Sequence, residues 1–293
     1  MHKVWKFILL VFLPLIACNA WGQSRHALLI GIGNYPEDSG WNTIHGNNDI
    51  TIIKAALVRQ GFSQSNIIQL KDSSATKADI LQGFALITSR CKPGDIVYIH
   101  FSGHGQQITD INGDEEDGFD EAWIPFDAKK EYEKGVYEGE NHLIDDEING
   151  LLKALRQRIG ERGKIVVVAD ACHSGSGSRA EDDDELIVRG SDKRFILPDS
   201  SSLKQFVTGK NDWLFIAACK PYQTNYEHKT AGGSLLWPAF FYHCIRRKGI
   251  YLYRLFGSIK RVERSAPSII KVPPRHRWRR CAKSERFIFV LVK

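Results

Sequence analysis

Three apolar runs constrain this chain more than anything else in it. Residues 26–32 (HALLIGI), 95–101 (DIVYIHF) and 164–169 (KIVVVA) are apolar at nearly every position. A strand with one wet face alternates apolar and polar residues, whereas a continuous run is buried on both faces, as in a parallel sheet covered by helices. Shorter runs at 66–70 and 212–218 predict two further strands. Helical spacing marks 48–60 (Ile52, Ile53, Ala56, Leu57, stopping at Gly61), 76–90 (Ile80, Leu81, Phe84, Ile87) and 144–159. Strand–helix alternation of this kind predicts an α/β fold, a mainly parallel sheet flanked by helices in three layers. Residues 174–202 are rich in Ser, Gly, Asp and Arg without periodicity, which predicts a long exposed loop.

The two ends differ from the middle. Lys3 and Lys6 precede an apolar run from Phe7 to Ala17, the pattern of a secretory signal peptide over residues 1–22 and too short to span a bilayer. Two cleavage readings stand side by side. One cuts after Ala20-Trp21-Gly22, and the other is a lipobox (Leu15-Ile16-Ala17-Cys18) that would leave a lipid anchor on Cys18. Either way the protein is expected outside the cytoplasm: secreted, periplasmic or anchored at the cell envelope. Residues 246–293 hold fifteen Lys/Arg and two acids, a net +13; with the whole chain at +6, residues 1–245 sum to −7. Export argues against nucleic acid as the partner of that basic end. Six cysteines in 293 residues, with no CxxC pair, predict neither a disulfide scaffold nor a zinc site.

The chemistry gathers at two strand ends. The run at 95–101 leads into Ser102-Gly103-His104-Gly105, and the run at 164–169 into Asp170-Ala171-Cys172-His173-Ser174-Gly175. In open parallel sheets reactive groups collect at the carboxyl ends of strands. A thiol beside an imidazole suffices for covalent acyl transfer: the thiolate attacks, and the imidazole moves the proton. His104 is preferred to His173 as the base, because consecutive residues at a strand end point in different directions. The glycines let backbone N–H groups approach a carbonyl, with Gly105 and Cys172 as the expected oxyanion donors. An Asp at position 49, where a helix opens, could equally be a capping residue.

The blocks HALLIGIGNY (26–35), GNND (46–49), DIVYIHFSGHGQQ (95–107), DGFDEAWIPFD (117–127), LIDDEI (143–148), VVVADACHSGSG (166–177) and AACKPYQTNYE (217–227) resemble, in order, those of the caspase-like cysteine peptidases, and specifically the metacaspases. The resemblance implies a six-stranded, mainly parallel sheet and a Cys–His dyad at Cys172 and His104. It implies one peptidase domain over 24–245: a large part (24–178), a linker loop (174–202) and a small part (210–260). It also implies cleavage of protein or peptide substrates after Arg or Lys, with an acidic S1 pocket built from Asp49, Ser102 and Asp170.

Further expectations follow from the resemblance. Many metacaspases respond to Ca²⁺, and the ligands map best to Asp120, Asp145 and Asp146, with an aspartate of 182–184 completing the set. Clustered loop carboxylates are chemically suited to Ca²⁺; no organic cofactor is expected. Self-cleavage is expected in the exposed loop, after Arg179, Arg189, Lys193 or Arg194. Residues 261–293 match no part of the family pattern and read as an irregular basic tail. Two other readings remain open: an inert caspase-like binding module, and a related peptidase with another P1 choice such as Asn.

Overall fold

The computed structural model describes residues 23–173, 186–191, 193–198, 212–218, 226–228 and 290–292. The elements run β1 (Arg25–Gly31), α1 (Gly46–Arg59), β2 (Ile67–Lys71), α2 (Lys77–Arg90) and β3 (Ile96–Ser102). Three short strands follow: β4 (Gly105–Thr109), β5 (Phe119–Trp123) and β6 (Leu143–Ile144). Then come α3 (Asp145–Ile159), β7 (Lys164–Asp170), β8 (Leu186–Val188), β9 (Leu214–Ala217), β10 (Tyr226–His228) and β11 (Val290–Val292).

The main sheet has the order β11-β9-β7-β3-β1-β2. Every pairing is parallel except that of β11 with β9. Alternate residues of each central strand point to opposite faces, and both faces are apolar. Ala27, Leu29, Tyr98, Val166 and Val168 pack with Ile50, Ile53, Ala56 and Leu57 of α1. Leu28, Ile30, Val97, Ile99, Ile165 and Val167 pack on the other face with Ile80, Phe84 and Ile87 of α2 and with Ile148, Leu152, Leu155 and Ile159 of α3. The three-layer arrangement and the expected helices and strands are therefore as the apolar pattern requires.

Three parts differ from expectation. The acidic stretch after His104 is a turn between two strands of a small antiparallel sheet, β4-β5-β6. The stretch 174–202 is not a uniformly exposed loop: 186–188 form β8, paired antiparallel with β10, and Arg189, Ser191 and Phe195 are buried. At 290–292 the supposedly irregular tail supplies the antiparallel edge strand β11. Residues 1–22, where a signal peptide is expected, lie outside the described residues, as do Arg179 and Asp182–Asp184.

Two features of the backbone position the site. Ser102 and Asp170 are register partners on adjacent β3 and β7, so the residues two further on leave the sheet side by side. Gly46 opens α1 against the end of β3; a Cβ there would come within 2.3 Å of the Ser102 carbonyl oxygen. Only glycine permits that approach, and it brings the first turn of α1, with Asp49, onto Ser102.

Candidate active site

His104 follows β3 and is 1% exposed. Its Nε2 lies 2.8 Å from the Asn42 carbonyl oxygen. A carbonyl can only accept, so Nε2 carries the proton in the neutral ring, and Nδ1 is left with a lone pair. No partner for Nδ1 is found among the described residues. Trp41 stacks on the ring with centroids 4.8 Å apart, and the Tyr35 ring lies 5.1 Å away. The Tyr35 hydroxyl accepts from the His104 N–H at 3.1 Å and donates to the Ile124 carbonyl. Burial pushes the imidazole pKa down to about 3, with the Lys130 and Arg189 cations lowering it further against the Asn42 bond. The ring is thus held neutral and oriented, with its lone pair at Nδ1. Asn42 and Trp41 carried no signal in the sequence, the first because it acts through a backbone carbonyl; Tyr35 closes the block 26–35, but nothing there marks its part in holding His104.

Cys172 follows β7 and is fully buried. Its backbone N–H donates to the Arg189 carbonyl oxygen at 2.9 Å. The first of the two expected oxyanion donors therefore already holds a carbonyl. Gly105, the second, is bridged to Gly190 of the same segment. His173 is half-buried, its pKa pushed down to about 4 by desolvation; its ring lies against Gly105.

Asp49, Ser102 and Asp170 come together as expected, and all three are fully buried. Ser102 Oγ donates to Asp49 Oδ2 at 2.5 Å. α1 has His45 at its N-cap, and Asp49 lies inside the first turn, so the capping role weighed for it is not the one it fills. The pocket holds a guanidinium. Arg189 Nη1 donates to Ser102 Oγ at 2.6 Å and to Asp170 Oδ2 at 2.9 Å, and Nη2 donates to Asp49 Oδ2 at 2.9 Å. The Arg189 side chain is 3% exposed. One buried cation shared by two carboxylates with this geometry is a charge-assisted fork that a lysine cannot reproduce. Of the other basic candidates of that stretch, the two described ones, Lys193 and Arg194, lie elsewhere. Lys193 pairs at the surface with Glu131, and the Arg194 guanidinium lies over the Phe119 ring.

The carboxylates around the β4–β5 turn and the start of α3 crowd one another. Asp120 is 1% exposed, and its Oδ2, like Asp145 Oδ1, is buried with no hydrogen-bond partner among the described residues. Burial, then the neighbouring Asp110 and Asp146, pushes the Asp120 pKa up to about 7. Burial, then Asp120, Glu121 and Asp146, pushes Asp145 up to about 8. Such crowding of hard oxygen donors fits a divalent cation. The carboxylates that converge most closely are Asp110, Asp114 and Asp120, with one oxygen from each within 4.8 Å of the others. That set shares only Asp120 with the expected one. Asp146 instead accepts a hydrogen bond from the Asn112 amide.

Residues 25–179 match the family model described as the metacaspase, peptidase C14 domain. Metacaspase-1 of Eremothecium gossypii is 36% identical over 162 residues, which cover 52% of this chain and 32% of that protein. Metacaspase-1B of Aspergillus fumigatus is 35% identical over 161 residues, 52% of this chain and 36% of the relative. The chain thus spans about a third of the length of these curated relatives. A crystal structure of a protein from Geobacter sulfurreducens superposes with a TM-score of 0.50 at 24% identity, covering 72% of this chain and 78% of that one, a likeness of fold.

Proposed function

Because this chain belongs to the metacaspase peptidase C14 family, we propose that it is a cysteine endopeptidase that cleaves after Arg or Lys. His104 Nδ1 takes the proton of the Cys172 thiol, and the thiolate attacks the carbonyl carbon of the bond to be cut. The oxygen that becomes negative turns toward the Cys172 N–H and Gly105. His104 then passes its proton to the leaving amine, and water hydrolyses the thioester. The Asn42 carbonyl keeps the imidazole in the working tautomer throughout.

The observation that carries the P1 preference is the pocket beside Cys172, in which Asp49, Ser102 and Asp170 hold a guanidinium. A P1 carboxylate entering there would meet two buried like charges. Ca²⁺ raises activity in this reading, bound among the carboxylates around Asp120, Asp145 and Asp146; it supplies charge neutralisation to a cluster that repels itself, not a step of the reaction. The chain processes itself within the stretch that follows Cys172, and it works after export, free or anchored through Cys18.

A fluorogenic panel varying P1, assayed with Ca²⁺, with Mg²⁺ and with a chelator, tests the whole reading. Arg and Lys substrates should turn over, Ca²⁺ at millimolar levels should raise the rate, and Mg²⁺ should not replace it. Cys172→Ala should abolish turnover with an unchanged circular dichroism spectrum. Preference for Asp or Asn over Arg would refute the pocket assignment.

A further inference from the structure

The segment that fills the pocket does more than place one side chain. Arg189 puts its guanidinium between Asp49 and Asp170 and its carbonyl oxygen on the Cys172 N–H. The three residues before it form a strand along β10, antiparallel, with Val188 opposite Tyr226, Ile187 opposite Glu227 and Leu186 opposite His228. Ile187 packs against the apolar core. The residue after it, Gly190, lies so close to the nucleophile that a Cβ would meet the Cys172 carbonyl oxygen at 2.3 Å and the Cys172 Cβ at 3.1 Å. An extended segment paired antiparallel with a strand, a side chain in a specificity pocket and a carbonyl on an oxyanion donor are together the way a protease takes a peptide.

We propose that residues 186–190 occupy this site as a substrate, that Arg189–Gly190 is the first bond the chain cuts, and that its preferred outside substrates share the pattern: apolar, strand-forming residues leading into Arg, followed by a residue as small as glycine. The inference rests on the reading of the site as an Arg/Lys peptidase and names the peptide class it takes. The chemistry is complete with the groups present. Cys172 Sγ bonds to the Arg189 carbonyl carbon and the bond to the Gly190 nitrogen breaks. That nitrogen leaves with the proton His104 took from the thiol. Water then releases the thioester, giving an Arg189 carboxylate and a free thiol.

Until that cut, the pocket is closed to other peptides by the chain itself. Arg189 is buried at 3% exposure, so nicking by another protease is not the natural explanation of a break there. This differs from the expectation that any exposed basic residue of the stretch would serve, and it singles out one of the four candidates.

Intact-mass analysis of the full chain incubated with Ca²⁺ tests the bond. The first fragments should end at Arg189 and begin at Gly190, and should be missing from Cys172→Ala. First cuts after Arg179, Lys193 or Arg194 would overturn the proposal. Quenched peptides test the substrate class on the processed enzyme. Leu-Ile-Val-Arg-Gly-Ser should show a kcat/KM at least about tenfold above Leu-Glu-Glu-Arg-Gly-Ser and above Leu-Ile-Val-Arg-Leu-Ser, a discrimination of ordinary size for subsite contacts. Equal rates on all three would overturn the inference and leave the Arg/Lys reading standing. If no Arg or Lys peptide is cut at all, that reading falls, and occupancy is still decided by calorimetry. Cys172→Ala with Arg189→Ala should then bind Leu-Ile-Val-Arg-amide at least about tenfold more tightly than Cys172→Ala alone, and equal binding would overturn the proposal.

Discussion

Asp49 and Asp170 share one guanidinium, and neither carboxylate can be neutralised without changing how the other is solvated. Both are fully buried, and burial of a charge is tolerated only with a partner in place. Truncating one side of a buried, hydrogen-bonded charge pair costs about 2–5 kcal/mol. Asp170→Asn and Asp49→Asn should therefore lower kcat/KM for P1 Arg and Lys at least about thirtyfold, with Arg hit hardest because its fork uses both carboxylates at once. The measurement is a P1 profile of each variant; an unchanged Arg preference would show that the pocket binds something else. These two residues were legible in the sequence because each stands at a fixed offset from a motif that can be read: Asp170 two before the thiol, Asp49 in the block that opens a helix. Asn42 was not legible. Its part in orienting His104 is played by a backbone carbonyl, which every residue type possesses and no motif records. The burial of Arg189 was likewise hidden, although the apolar triplet Leu186-Ile187-Val188 before it, inside an otherwise polar stretch, was the signal that could have revealed a strand.

The parallel strands of the main sheet could be read from the sequence, whereas its edge strand β11 and the small sheet could not, and for the small sheet the difference is physical. β1, β3 and β7 are buried on both faces, so their sequences are continuously apolar. β4 (Gly105–Thr109) is buried as well, but by hydrogen bonds: Gln106 donates to the Lys130 and Lys193 carbonyls and accepts from His142, while Gln107 accepts from Arg194. Satisfied glutamines look like loop to any hydrophobic pattern. α1 shows what one such contact costs. Gly46→Ala would drive a Cβ to 2.3 Å from the Ser102 oxygen and 2.6 Å from that of Ile32. Both are backbone atoms with no rotamer to yield, and overpacking of this kind costs about 1–3 kcal/mol. The variant should melt several degrees lower, and because the shift carries Asp49 with it, KM for Arg substrates should rise more than kcat falls. A melt and a steady-state profile together check this; a stable variant with unchanged KM would mean that α1 does not set the pocket.

The same scale governs the acid cluster on β5 and the first turn of α3. Asp120 and Asp145 have folded pKa values raised to about 7 and about 8 from ordinary carboxylate values. A group whose pKa is raised on folding stabilises the protein fully below its unfolded pKa, and that contribution is lost as pH rises through the folded value. The loss begins above the ordinary carboxylate value and is complete near pH 8; in chelator, then, the melting temperature should fall between about pH 6.5, above which the histidines no longer oppose it, and about pH 8, and level off beyond. Ca²⁺ should restore it, since a bound cation replaces the protons. The buried imidazoles pull the other way only in acid. His100, His104 and His142, lowered to about 3 chiefly by burial, favour folding less as pH drops below the usual histidine value. Melting curves with and without chelator across this range decide the matter: flat stability in chelator between about pH 6.5 and 8 would show that the fold does not hold these carboxylates protonated, and no rise in melting temperature with Ca²⁺ above pH 8 would remove the cluster as a cation site.

Taken as one molecule, the chain threads its own segment through its own catalytic crevice, and that topology fixes the kinetics of its first reaction. Cys172 and Arg189 are seventeen residues apart in the sequence, and the Arg189 carbonyl already sits on the Cys172 N–H. A tether of that length presents the bond at an effective concentration of order millimolar or higher, far above the protein concentration in any assay. Cutting should therefore be first order in the chain. The half-time for loss of the uncut form should stay constant over about a hundredfold range of protein concentration, because dilution does not alter an intramolecular encounter. Activity on outside peptides should appear with a lag of the same half-time, since the pocket must first be vacated. Adding processed enzyme to Cys172→Ala should leave Arg189–Gly190 intact for far longer than that half-time: the bond is buried, and the crevice that holds it is closed to a second molecule. Gel densitometry at several concentrations, run beside a progress curve on a fluorogenic Arg substrate, measures both. A half-time that shortens in proportion to concentration would mean that one copy cuts another, and the segment seated at Cys172 would then be a blockade lifted from outside and no substrate of its own enzyme.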